Sequence, residues 1–174
     1  GSLVLSTRDT ADGDFVGGGG NYGLKGPADS AAAITVAKGA QIKVGVGPGS
    51  LRDYSNRGLV MVAPKIVADG IFDAANPDHE QNVAFVTATD ATLAYGDRDG
   101  PLSVTINQGT AVAGTSQFVA GTVKGRDVLF ALASQSSVTD ALLQVDANVT
   151  TATAGTRGIV LSAGSLTKPV DGVT

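Results

Sequence analysis

Carboxylates are the only chemically capable side chains that cluster in this chain. Of 16 acidic residues, Glu80 is the sole glutamate and the rest are aspartates. Two groups stand out, Asp97-Arg98-Asp99-Gly100 and the run from Asp9 to Asp14. Acids this close could divide general-acid and general-base roles on a glycan, or hold Ca²⁺ through oxygen ligands. Aspartate beside glycine also caps backbone N–H groups in tight turns, and that is the reading given to Asp97 and Asp99, with calcium as their alternative. A polysaccharide lyase would bring Lys or Arg to bear on the sugar acid, whereas the 12 basic residues here are scattered.

Other constellations are thinner. The chain has no Cys and one histidine, His79, set in the polar stretch Ala74 to Gln81 between Asp78 and Glu80. Any Ser-His-Asp arrangement would depend on that one base, and a loop histidine beside two acids reads as solvated. Gly18-x-Gly20-x-x-Gly23 matches a dinucleotide fingerprint in spacing. Leu24-Lys25-Gly26-Pro27 follows where a helix should begin, so a phosphate would find no helix terminus. Tyr22 and Tyr54 are placed in loops and Tyr95 at a strand end. Aromatic content of 5% is low for a sugar-stacking surface. No catalytic, cofactor-binding or metal-binding residue is assigned, and the chain is read as a non-enzyme.

The elements that would carry these residues are strands. Asp, Gly and Asn favour turns where Glu favours helices, and Val, Thr and Ile favour strands. Short apolar runs begin at Leu59, Val83, Val128 and Ile159, and the middle interval is close to twice the first. Strands are predicted at Leu3–Ser6, Ile34–Val36, Gln41–Val44, Leu59–Ala63, Lys65–Ala68, Val83–Thr87, Ala91–Tyr95 and Leu102–Ile106. Further strands are predicted at Gln117–Thr122, Val128–Ala133, Leu142–Val145, Val149–Ala152 and Ile159–Ser162. Asp69-Gly70 marks a corner, Gly17 to Gly23 a loop, and no amphipathic helix of three turns is present.

Similar apolar runs returning at intervals of 20 to 50 residues, with insertions of variable length between them, indicate stacked units that cannot bury their apolar faces alone. The predicted fold is all-β: a right-handed parallel β-helix with loop excursions, a single segment over residues 1–174, with Val62, Phe85 and Phe130 inside. Gly1-Ser2 reads as a cloning scar, and the abrupt Leu3-Val4-Leu5 as the middle of a longer chain. Exposed rung ends should then be capped by the segment's own loops or stack end to end on another copy. A net charge of −4 without a basic cluster argues against nucleic acid as a partner. No run approaches the roughly 20 apolar residues of a membrane-spanning helix.

The phrases Gly58-Leu-Val-Met-Val-Ala-Pro-Lys-Ile, Asn82-Val-Ala-Phe-Val-Thr-Ala-Thr-Asp-Ala-Thr-Leu-Ala-Tyr, Gly125-Arg-Asp-Val-Leu-Phe-Ala-Leu-Ala-Ser and Gly158-Ile-Val-Leu-Ser-Ala-Gly resemble the filamentous haemagglutinin family. They look like the secretion-domain region of large exoproteins, and the likeness runs from about Leu3 to Gly164. The resemblance implies a parallel β-helix exported through an outer-membrane transporter barrel of a Gram-negative bacterium. It also implies a secreted or cell-surface location and adhesion to a host or neighbouring cell. The Asn-Pro-Asn-Gly motif of such domains is absent, and Asn76-Pro77-Asp78 echoes it only in part. The alternative function is a β-helical lyase or glycosidase using aspartate carboxylates.

Overall fold

Runs such as Leu59 to Ala63 are apolar at every position, which suits a strand covered on both faces better than one with a solvated side. The computed structural model bears this out. It describes residues 2–16, 20–27, 29–45, 58–75, 81–95, 102–138, 140–151 and 158–165. The elements are β1 (Leu3–Ser6), α1 (Asp12–Val16), β2 (Asn21–Leu24), β3 (Ala33–Val36), β4 (Gln41–Lys43), β5 (Gly58–Ala63), β6 (Lys65–Ala68) and β7 (Ile71–Asp73). They continue with β8 (Asn82–Thr87), β9 (Asp90–Tyr95), β10 (Leu102–Gln108), β11 (Gly114–Gly125), β12 (Val128–Ser134), β13 (Ala141–Thr151) and β14 (Ile159–Ser165).

Two parallel sheets and one antiparallel sheet hold the fourteen strands of the described residues. The first parallel sheet has the order β1-β5-β8-β12-β14. In the second, β3 and β4 pair with β6 and β7, which pair along one edge of β11, whose other edge carries β13. In both sheets, spatial order follows chain order. Successive passes of the chain through the parallel sheets therefore alternate between them, β3–β4 and β6–β7 each making one pass, with Pro64 alone linking β5 to β6 and Arg126-Asp127 linking β11 to β12.

Register converts this order into ladders of like residues. Leu3, Leu59, Val83, Val128 and Ile159 stand opposite one another in turn, as do Leu5, Met61, Phe85, Phe130 and Leu161. Phe85 and Phe130 stack with centroids 5.2 Å apart and planes 11° from parallel, and Phe72 of the second sheet meets Phe85 edge-on at 5.1 Å. These residues form the core between the two parallel sheets, joined by Val36, Ile66 and Val123. The second sheet is one-sided. Along β13, half-buried and exposed positions alternate without a break.

The opposite face of the first sheet is buried as well. Val60, Val62, Ala84 and Val86 pack under β2 and β9 through Leu24, Ala91 and Leu93, with Val104 and Ile106 of β10 against them. The antiparallel order β10-β9-β2 forms this cover. Its presence corrects several expectations. Ala91–Tyr95 and Leu102–Ile106 pair antiparallel outside the parallel sheets rather than forming rungs. Asn21–Leu24 is a strand rather than a loop, and Tyr22 lies within it. Val62 points away from the core that holds Phe85 and Phe130, because odd and even positions of one strand face opposite ways. The segments predicted at Leu142–Val145 and Val149–Ala152 are one strand, and Ile71–Asp73 adds another beyond the corner at Asp69-Gly70. At that corner Gly121 passes so close to the Gly70 carbonyl that any Cβ would collide with backbone.

Polar groups inside are few and unequal. Ser116 accepts from the Ile66 amide at 3.2 Å and from Thr87 Oγ1 at 3.1 Å, tying the two parallel sheets together at a buried corner. Gln81 is fully buried, yet neither side-chain amide atom has a hydrogen-bond partner among the described residues.

These environments give opposite outcomes for single substitutions. Phe85→Ala should cost about 3–5 kcal/mol in chemical denaturation, and Leu161→Ala less than about 1 kcal/mol, since Leu161 is 58% exposed. Val62→Asp should abolish folding as completely as Phe85→Asp, because each puts a charge into a covered face. Gln81→Met should raise stability by about 1 kcal/mol by removing two unpaired polar atoms, and a lower melting temperature for this variant would contradict the burial described.

Candidate functional site

The segment between β1 and β3 leaves the parallel sheets and folds back on itself, and a buried arginine anchors it. Ser6 Oγ accepts from the Arg8 amide at 2.8 Å, turning the chain out of β1. Asp9 and Lys25 exchange two backbone hydrogen bonds, 2.9 and 2.8 Å, as an antiparallel bridge. Thr10 Oγ1 donates to the Gly23 carbonyl at 2.7 Å, and Asp14 Oδ2 accepts from the Gly23 amide at 2.8 Å. Asp14 can do this because α1 lifts it toward β2.

Arg8 crosses under this fold-back. Its Nη2 donates to Ser30 Oγ at 2.8 Å and its Nη1 to the Pro27 carbonyl at 3.3 Å, while Nε is buried without a hydrogen-bond partner among the described residues. The residue is 6% exposed. Burial pushes the guanidinium below its ordinary pKa, and neighbouring Asp9 partly offsets that. The guanidinium occupies the space a side chain at position 26 would fill, so any residue larger than glycine there has to displace it.

Two adjoining clefts open beside this anchor. One, about 560 Å³, lies between Val4 and Ser6 of β1, Tyr22 and Leu24 of β2, and Arg8. The other, about 520 Å³, is bordered by Asp14, Asn21, Lys25 and Thr92. Asp9 and Thr10 line both. The lining offers a tyrosine ring, hydroxyls, two carboxylates and a lysine, which is a surface for hydrogen bonding. The hydroxyls of Ser6 and Thr10 are engaged with backbone rather than with a general base.

The acids predicted between Asp9 and Asp14 thus divide by role. Asp9 bridges through its backbone, Asp14 binds a strand amide, and Asp12 is exposed at the start of α1. Among the described residues, no group of three His, Cys, Asp or Glu side chains could hold a metal ion. Asp97, Asp99, His79 and Tyr54 lie outside the described residues, as does Gly18 of the glycine spacing. Gly23, the last glycine of that spacing, sits in β2, and the strand is followed by the bridge at Lys25 rather than by a helix. Tyr95 ends β9 as expected. Arg8 had no sequence signal of its own. The nearest was Gly26-Pro27, a glycine that a loop of this length does not otherwise need. No protein-family model, curated protein or solved structure matches this chain.

The Arg8–Gly26 contact is open to a double-mutant cycle. Gly26→Ala should cost about 1–3 kcal/mol by displacing the guanidinium. In an Arg8→Ala background the same change should cost much less, because the group it collides with is gone. Additive losses in urea denaturation would show that the two residues do not meet.

Proposed function

We propose that this chain is a right-handed parallel β-helix and part of a filamentous haemagglutinin-like exoprotein. In this reading it is exported by a Gram-negative bacterium through an outer-membrane transporter barrel and acts at the cell surface in adhesion. One observation carries the proposal: strand order equals chain order in both parallel sheets, so each passage through the two sheets adds one layer to a stack. Right-handedness follows from the strong preference of parallel crossovers in one sheet. Insertions of the haemagglutinin-like kind have their counterpart in the strands that leave the stack, β2, β9 and β10, and lie against its side.

The mechanism is structural. Layers add one after another, each templated by the edge of the last, so folding after export needs no energy source outside the cell. Buried residues hold the rod together and exposed residues present a surface. Adhesion then draws on many weak polar contacts spread along that surface, including the clefts beside Tyr22 and Lys25.

The competing reading, a polysaccharide-active enzyme, is separated by one pair of measurements. Fluorescently labelled protein should bind cultured epithelial or bacterial cells saturably, and Asp97→Asn with Asp99→Asn should leave that binding unchanged. Incubation with a panel of acidic glycans should release no new reducing ends or unsaturated sugars. Glycan cleavage that disappears in the double variant would replace the adhesin assignment with the enzymatic one.

A further inference from the structure

The two parallel sheets end on edges of matching pattern. At one end, Ile159, Val160 and Leu161 of β14 are 45%, 54% and 58% exposed, and among the described residues β14 pairs only with β12. At the other, Leu3 and Leu5 of β1 and Ile34 and Ile42 of β3 and β4 are only partly covered. Leu3 and Ile159 are the two ends of one ladder, and Leu5 and Leu161 the ends of the next. All strands in these sheets are parallel, so the edge of β1 and β3–β4 presents the same strand direction that β14 and β13 would next receive.

Charge distinguishes the two ends. The first pass through the second sheet, residues 33–45, carries Lys38 and Lys43 and no acid, whereas β13 carries Asp146 and no base. Within the chain, the ladder Lys43, Asp73, Lys124 already alternates in sign from layer to layer. Cross-strand charges of opposite sign stabilise a sheet and like charges oppose it. Lysine-bearing edges would therefore repel one another, whereas continuing the ladders in register from one copy to the next sets Val36 over Val145, which brings Lys38 beside Asp146, and sets Lys43 over the uncharged Thr150.

Building on the stacked-layer reading above, we propose that this chain associates head to tail with a second copy, β1 and β3–β4 of one adding to β14 and β13 of the other. The contact is heterologous and does not close on itself, so it extends into a linear assembly rather than a ring or a two-fold dimer. N–H and C=O groups along β13 and β14 that have no strand partner among the described residues supply the backbone bonds, and the apolar ladders continue across the junction.

Because the chain has no cysteine, directed cross-linking can test this pairing. Thr35 and Gln144 are exposed and stand at opposite ends of the ladder that runs through Val67 and Gln117. Stacked partners lie about 4.8 Å apart, within the roughly 4.4–6.8 Å Cα range of disulfides. Thr35→Cys protein mixed with Gln144→Cys protein should form a disulfide dimer under mild oxidation, and neither alone should do so. Leu161→Lys and Asp146→Lys, both at exposed positions, should each abolish the cross-link.

A control inside one chain separates this proposal from the layered fold beneath it. Lys124→Cys with Thr150→Cys, exposed and in register on β11 and β13, should close an intramolecular disulfide whether or not copies associate. If the control closes while the mixture stays uncrosslinked and light scattering gives a monomer, head-to-tail association is wrong and the stack stands. Dimerisation of Gln144→Cys protein alone would likewise overturn it in favour of tail-to-tail contact. Failure of the control would sink the layered reading itself.

Discussion

The structure depends on placing identical faces of successive strands in exact parallel register. Once Leu59 stands against Val83 and Val83 against Val128, Met61, Phe85 and Phe130 are aligned by the two-residue period, and so are the residues facing the other way. A slip by one residue anywhere in the first sheet would move Phe85 into the space of Val86. Both faces are covered by different elements of different shape, so no slipped register is degenerate with the native one. The near-parallel rings of Phe85 and Phe130, with Phe72 edge-on from the second sheet, fill the inner core between the two parallel sheets.

Covering both faces of one sheet has a cost in polar groups. Chain segments that cross between layers must be buried at their corners, and their hydrogen bonds are met unevenly. Ser116 and Thr87 satisfy one such corner with two short bonds. Around Gln81, Asn82 and Arg126 the account is incomplete, since each retains a buried side-chain atom without a hydrogen bond among the described residues, Arg126 Nε meeting only the Asp127 carboxylate at 3.7 Å. Apolar surface between three sheets outweighs these losses because it is removed from water on two sides of the same strands, at about 25 cal/mol per Å². The second parallel sheet, covered on one side only, shows the strict alternation that the first lacks.

Much of this was legible in the residues because strands announce themselves locally. Lys65–Ala68 and Leu3–Ser6 begin and end where turn formers and apolar alternation place them, and the return of similar apolar runs pointed to layers. What escaped was decided at long range. An all-apolar run signals cover on both faces but not which element covers which, so the face of Val62 could not be told from that of Phe85. Ala91–Tyr95 has the composition of the parallel strands, and only its antiparallel partners, β2 and β10, set it outside the parallel sheets. The role of Arg8 depends on Pro27 and Ser30 arriving from the far side of the fold-back, and a single arginine carries no pattern that foretells this.

Where recognition can reside follows from the same geometry. The first parallel sheet is consumed by packing and offers solvent little except its edges. The outer face of the second sheet carries Lys43, Lys124 and Asn148, and the outward face of the antiparallel sheet carries Ser103, Thr105 and Asn107, all exposed. On the latter, Asn107 Nδ2 donates to Asp90 Oδ1 at 3.0 Å and to Thr92 Oγ1 at 2.9 Å, so the side chains are already ordered by one another. Pre-ordered small polar groups on a rigid sheet lose little entropy when a ligand meets them, whereas a deep pocket would require opening one of the two cores. A fold that commits its strands to ladders in this way is built to present extended, shallow surfaces.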